Sequence, residues 1–257
     1  MPQAKSNFVW YELMTTDLEG AQAFYRSVLG WTTQDAGMPG MQYVIASAGS
    51  IGVGGMMTLP AEAAAGGAPA AWVGYVAVDD VDAAAARLVQ AGGSVHMPPT
   101  DIPGVGRFAA VADPQGAGFD LFKNNSTEPA PQIAPGSVGH VGWHELSARD
   151  NKAAFDFYAT QFGWTEVQAM DMGPMGVYRM FATDGAPVGG MMDMENPSSA
   201  PGWLFYFNVD AIDAAAARVT SAGGKVLGEP HEVPGGSWII SCNDAQGVAF
   251  ALVAPKR

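Results

Sequence analysis

Phe8-Val9-Trp10-Tyr11-Glu12-Leu13-Met14-Thr15-Thr16-Asp17 returns 133 positions later as Val141-Gly142-Trp143-His144-Glu145-Leu146-Ser147-Ala148-Arg149-Asp150. Trp, Glu, Leu and the closing Asp keep their places. The match runs on in order: Phe24-Tyr25 as Phe157-Tyr158, Gly30-Trp31 as Gly163-Trp164, and Gly54-Gly55-Met56-Met57 as Gly189-Gly190-Met191-Met192. Asp82-Ala83-Ala84-Ala85-Ala86-Arg87 then returns as Asp213-Ala214-Ala215-Ala216-Ala217-Arg218, and Asp113, Gln115 and Gly116 as Asp244, Gln246 and Gly247. A small drift in offset marks short loop insertions between shared elements. The chain is therefore a tandem duplication. Residues 1–124 form one module and 138–257 the other. The Asn-, Ser- and Pro-rich stretch 125–137 reads as an exposed linker.

Periodicity within a module is mixed. Residues 8–14 alternate as a strand does. Asp17 can cap a helix whose apolar residues Leu18, Ala21, Tyr25, Val28 and Leu29 recur at helical spacing until Gly30 stops it. Two short strands, Gln42–Ser47 and Gly52–Met57, follow. After a loop from Pro60 to Ala71 come a strand over Trp72–Val78, a helix over Val81–Ala91, and strands near Val95, Arg107–Ala112 and Gly118–Phe122. The reading is an α+β fold of tandem β-α-β-β-β modules that form curved mixed sheets, with a small-molecule cup in each half. A dinucleotide-binding reading fails because no Gly-x-Gly-x-x-Gly follows a strand.

Composition narrows the partners. The 257 residues carry 12 basic and 25 acidic side chains, a net charge of −13 that repels nucleic acid and acidic membranes. Mean hydropathy is +0.08, and no apolar run approaches a bilayer span. A start without an apolar leader gives the expectation of a cytoplasmic protein. The single cysteine, Cys242, sits in the strand-like Ile239-Ile240-Ser241 context and reads as core.

The motifs Thr16-Asp17, Phe24-Tyr25-x-x-x-Leu29-Gly30-Trp31, Val78-Asp79-Asp80-Val81-Asp82 and Asp113-Pro114-Gln115-Gly116 resemble the vicinal-oxygen-chelate superfamily of glyoxalases, extradiol dioxygenases and bleomycin-type resistance proteins. Phe157-Tyr158, Phe162-Gly163-Trp164, Val209-Asp210-Ala211-Ile212-Asp213 and Asp244-Ala245-Gln246-Gly247 repeat them. The resemblance covers nearly the whole chain and is similar to two-module bacterial proteins labelled hydroxylase or glyoxalase. It implies metal-ligand positions on three strands of each module. Carried over, they fall at Trp10, Val73 and Asp120, and at Trp143, Leu204 and Ala251. Only Asp120 of the six can ligate a metal. No cofactor is predicted, and a divalent metal would find most family ligand positions missing.

Glu12 and Glu145 are the candidate catalytic residues. Each shares a strand face with a tryptophan, Trp10 or Trp143, and a carboxyl among aromatics can serve as a general base or bind a hydroxylated or cationic ligand. The alternative is a half-exposed strand Glu paired with an Arg. Trp10, Trp143, Trp72, Trp203, Asp120, Met57 and Met192 are candidate ligand-binding residues: the indoles for stacking, the methionines as adaptable walls. For Asp120 the alternative is burial against Arg107. For the tryptophans it is filling of the cup. Gly37–Met41 and Asp171–Met175 read as lid-like loops. His96 and His231 read as loop residues, and His144 as facing away from Glu145.

Three functions fit these readings. One is a metal-free binding protein for a small aromatic or carbonyl-containing molecule. The second is a glyoxalase-type lyase or isomerase with a carboxylate base, and the third an interaction protein that has lost its sites. The modules can pair within one chain, which makes a monomer sufficient; a homodimer is the other option.

Overall fold

The computed structural model describes residues 6–38, 40–128, 131–196 and 198–257. Module one runs β1 (Phe8–Thr15), α1 (Leu18–Leu29), β2 (Thr32–Asp35), β3 (Tyr43–Ala48), β4 (Ile51–Thr58), α2 (Ala61–Ala65), β5 (Ala71–Ala77), α3 (Val81–Gln90), β6 (Ser94–Ile102), β7 (Gly106–Ala112) and β8 (Gly118–Asn124). Module two runs β9 (Val141–Ala148), α4 (Asn151–Phe162), β10 (Thr165–Asp171), β11 (Val177–Ala182), β12 (Pro187–Asp193), β13 (Gly202–Asn208), α5 (Ile212–Ser221), β14 (Lys225–Glu232), β15 (Trp238–Asn243) and β16 (Ala249–Ala254). Each module contributes eight strands to one mixed sheet. Each half-module is a β-α-β-β-β unit in which the first and last strands pair in parallel, as β1 with β4 and β5 with β8, while the rest are antiparallel.

The chain divides into two compact units, and each draws on both modules. One holds the residues up to Val9, Val73–Ala130 and His144–Trp203; the other holds Trp10–Trp72, Pro131–Trp143 and Leu204–Arg257. The first unit thus combines the second half of module one with the first half of module two, and the other unit combines the remaining halves.

Helix ends follow from local chemistry. Asp17 and Asp150 accept hydrogen bonds from the Gly20 and Ala153 amides, which satisfies otherwise orphaned donors of α1 and α4. Gly30 and Gly163 close the same helices at φ 72°, a left-handed conformation that a side chain would resist. Asp80 caps α3, whereas α5 begins at Ala211 without a side-chain cap; its neighbour Asp210 pairs with Arg218 at 3.5 Å.

In the first unit the helix-facing residues Val76, Ala109, Val111, Phe119 and Leu121 pack with Leu146, Phe181 and Met191 around α3 and α4. Trp164 stacks on Phe181 at 4.5 Å and on Tyr158 at 5.1 Å. The other unit centres on Tyr25, Trp31, Trp72, Phe207 and Phe250, with ring centroids 5.3 to 5.6 Å apart along the chain of contacts. Each such ring removes roughly 200 Å² from water, about 5 kcal/mol of gross transfer free energy.

A buried polar network ties the two modules together inside each unit. Asp244 Oδ1 accepts from the Gln246 and Val248 amides, and its Oδ2 accepts from the Tyr25 hydroxyl at 3.2 Å. Tyr25 in turn accepts from Trp72 Nε1 at 2.8 Å. The first unit repeats the arrangement: Asp113 is held by the Gln115 and Ala117 amides and by the Tyr158 hydroxyl at 3.3 Å, and Trp203 Nε1 donates to Tyr158 at 3.1 Å. The conserved spacing of Phe-Tyr and Asp-x-Gln-Gly in the two repeats therefore reflects one reciprocal bond between modules. Burial raises the carboxyl pKa of both aspartates, against the lowering by the backbone donors.

Four elements differ from the sequence expectation. His96 and His231 lie in β6 and β14, not in loops. Both strands sit at the outer end of their strand order, and Pro98, Pro99 and Pro230 fall in breaks of the pairing between Met97 and Thr100 and between Leu227 and His231, so they cost no ladder bond. The exposed strand β2, Thr-Thr-Gln-Asp, has too little apolar alternation to be read. The Ala-rich stretch before Trp72 contains the short helix α2.

Candidate functional site

Strand alternation buries Leu13 and Tyr11 on one face of β1, where Tyr11 meets Phe205 edge-on at 5.2 Å, and leaves Glu12 on the other. Glu12 is the register partner of Gly55, and Glu145 that of Gly190. Neither glycine has a left-handed backbone; their role is space. A Cβ on Gly55 would collide with the hydroxyl end of Tyr43, and a Cβ on Gly190 with the ring of Tyr178. Each tyrosine thus starts on the third strand of its half-module, lies across the bare glycine of the fourth, and reaches the first.

The two copies then differ in what the hydroxyl meets. Tyr178 donates to Glu145 Oε2 at 3.0 Å. Tyr43 accepts from Trp10 Nε1 at 2.9 Å. Trp10, Tyr43 and Met57 are partly buried on the face that carries Glu12, itself 9% exposed. Met57 is the register partner of both Met14 and Tyr43. Met192, partnered by Ser147, holds the equivalent place beside Glu145. The first unit therefore brings together Glu145, Tyr178 and Met192, and the other unit Glu12, Trp10, Tyr43 and Met57. Trp143 is partly buried at the start of β9.

Trp72 and Trp203 are placed otherwise. Their indole N–H groups point to Tyr25 and Tyr158 in the buried networks, and Trp203 also meets the Phe8 ring edge-on at 5.2 Å. His144 lies on the helix side of β9: it stacks on Phe8 at 4.4 Å, and its Nδ1 donates to the Val188 carbonyl at 2.7 Å. Burial lowers its pKa to about 4, so the ring is neutral near pH 7. Cys242 is fully buried in β15, and its thiol is pushed up to about 12 by burial.

Asp120, 7% exposed, stands opposite Tyr75 on β5 and Ala110 on β7. Its burial against Arg107 is not found. Arg107 projects to the opposite face of β7, where Nε and Nη2 clamp Asp82 at 2.7 and 2.9 Å and Nη1 reaches Asp101 at 2.9 Å. The register also sets Tyr75, not Val73, beside Asp120. Tyr206 takes the corresponding place beside Ala251.

The tyrosines Tyr43, Tyr178, Tyr75 and Tyr206 were not singled out from sequence. A signal existed: Tyr43 and Tyr178 share the 135-residue offset of the Gly-Gly-Met-Met repeat. Of the loops read as lids, Asp171–Met175 ends in a single 3-10 turn, with Asp171 Oδ1 accepting from the Gly173 amide at 2.8 Å. The other contains Pro39, outside the described residues.

The donor set does not fit the metal that the resemblance implies. Among the described residues no three His, Cys, Asp or Glu side chains gather where they could hold an ion. Trp10, Trp143, Val73, Leu204 and Ala251 offer no ligand atoms at the family positions.

Two half-modules, each a β-α-β-β-β unit, repeated in tandem with a carboxyl on the first strand, define a glyoxalase-like architecture. The chain belongs to the glyoxalase/bleomycin resistance protein/dioxygenase superfamily, whose model matches residues 7–121 and 137–252. It is 35% identical over 248 residues to the putative glyoxylase CFP32 of Mycobacterium tuberculosis, covering 96% of this chain and 94% of the relative. It is 32% identical to the anthracycline biosynthesis protein DnrV of Streptomyces peucetius, covering 95% and 91%. The Mn(II)-bound glyoxalase from Novosphingobium aromaticivorans shares the fold at 16% identity, with a TM-score of 0.64 over 98% of this chain and 82% of that one. Among the described residues, no helix is long and apolar enough to cross a membrane.

Proposed function

We propose that each module binds a small aromatic or carbonyl-containing molecule on the sheet face that carries Glu12 or Glu145, without a complete metal site. The observation that carries this is the tyrosine laid over a glycine beside each glutamate. It gives both repeats a polar carboxyl and hydroxyl pair among aromatic and methionine side chains, the mix that orients a mostly apolar ligand. Trp10 and Trp143 offer planes for stacking, and Met57 and Met192 offer adaptable walls. The relatives named for anthracycline biosynthesis fit a role with aromatic, carbonyl-bearing molecules.

The Tyr178–Glu145 hydrogen bond favours a second reading, a lyase or isomerase. Glu145 would take a proton beside a carbonyl, and the Tyr178 hydroxyl, turned from Glu145 to the ligand, would donate its one hydrogen to the oxygen that gains charge. The relative named a putative glyoxylase points the same way.

The test is a titration of the purified chain with 2-acetonaphthone, a planar aromatic ketone, followed by tryptophan emission before and after treatment with a chelator. Saturable quenching that survives the chelator is expected. Absence of saturable binding overturns the proposal, and binding that vanishes with the chelator overturns its metal-free form.

A further inference from the structure

The two modules present different chemistry where the fifth, seventh and eighth strands of each repeat meet. In module one Asp120 is flanked in register by Tyr75 and by Ala110. Phe122, the next residue of β8 on the same face, is opposite Phe108. The Tyr75 ring lies 6.3 Å from Phe108 and 5.9 Å from Phe122. The result is a carboxyl with three rings around it on the same face, and its β7 neighbour Ala110 carries only a methyl. Module two keeps Tyr206 and loses the rest: Ala251 replaces Asp120, Val253 replaces Phe122, Ile239 replaces Phe108, and Ser241 replaces Ala110.

We infer that the region around Asp120 in module one takes an amine-bearing, cationic aromatic group, while the matching region of module two, around Ala251, takes a neutral one. This rests on the small-molecule reading above and assigns ligand classes within it. An ammonium group is attracted both to a carboxylate and to the faces of aromatic rings, and each attraction grows as water is excluded. Asp120 is more than nine-tenths buried, so the setting for both is present in module one. Alanine, valine and isoleucine provide neither.

The experiment is calorimetric titration of the full chain with two probes of one shape, 2-naphthylmethylamine, cationic at pH 7, and 2-naphthylmethanol. The amine should occupy one site per chain about tenfold more tightly than the alcohol. Asp120→Asn should bring the amine's affinity down to that of the alcohol, and Ala251→Asp should create a second tight amine site. If Asp120→Asn fails to fold, Ala251→Asp and Phe108→Leu decide, the latter by a several-fold loss for the amine. Equal affinities for the two probes, or an amine preference unmoved by these substitutions, overturn the inference. In that case saturable 2-acetonaphthone binding would leave the small-molecule reading standing. If none of the three compounds binds, both fall.

Discussion

Tyr178 donates its hydroxyl hydrogen to Glu145 across the bare backbone of Gly190, two strands joined by one side chain that spans a third. The glycine is what permits the span. Gly190→Ala should therefore displace the ring, break this bond, and cost about 1–3 kcal/mol of stability, as overpacking typically does. Tyr178→Phe should keep the packing and lose only about 1 kcal/mol. Urea denaturation of the two variants separates the outcomes. Equal losses would show that the hydrogen bond, not the ring's position, dominates.

The reciprocal networks make a second prediction. Tyr25→Phe strips a buried donor from Asp244 and a buried acceptor from Trp72, and Tyr158→Phe does the same to Asp113 and Trp203. Each should cost about 1–3 kcal/mol. The networks share no residue, so the double variant should lose the sum to within about 0.5 kcal/mol. Chemical denaturation of the four proteins checks this.

His144 sets a pH dependence. Its folded pKa, about 4, lies below the unfolded value near 6.5, so the unfolded chain binds the proton first. The contribution is complete above pH 6.5 and is lost as pH falls toward 4, up to about 3 kcal/mol. Asp113 and Asp244 act in the opposite sense, because their folded pKa values are raised: they add stability below the unfolded carboxyl range and lose it as pH rises through the folded values. An NMR titration isolates the histidine, whose ring signals should show a neutral tautomer at pH 5.5.

Cys242 should resist iodoacetamide at pH 8 in the native protein and react at once in guanidinium. Burial removes the thiol from reagent and disfavours the thiolate. Fast native alkylation, read by mass spectrometry, would mean that β15 opens readily.

Much of this architecture was legible in the sequence because the repeat compares the chain with itself. Trp10 and Trp143, the Asp caps, and Gly30 and Gly163 announce strand, helix start and helix stop twice over. The Phe-Tyr and Asp-x-Gln-Gly repeats were visible as pairs, but not as partners, since Tyr25 meets Asp244 from 219 positions away. Glu12 and Glu145 were legible as paired strand carboxyls. The tyrosines beside them were not, because strand periodicity gives a side chain's face but not how far it leans over its neighbours. That Tyr75 stands beside Asp120 was hidden for a related reason: counting along one strand cannot fix the register that β8 imposes.

The division of Asp120 and Ala251 between corresponding strands has one more consequence. In an assembly of two identical subunits, every substitution is made twice and must suit both places. A covalent tandem lifts that symmetry: a codon change in one copy leaves the other untouched. Fusion has given this chain two independently evolvable faces, and the lone aspartate marks where their histories parted.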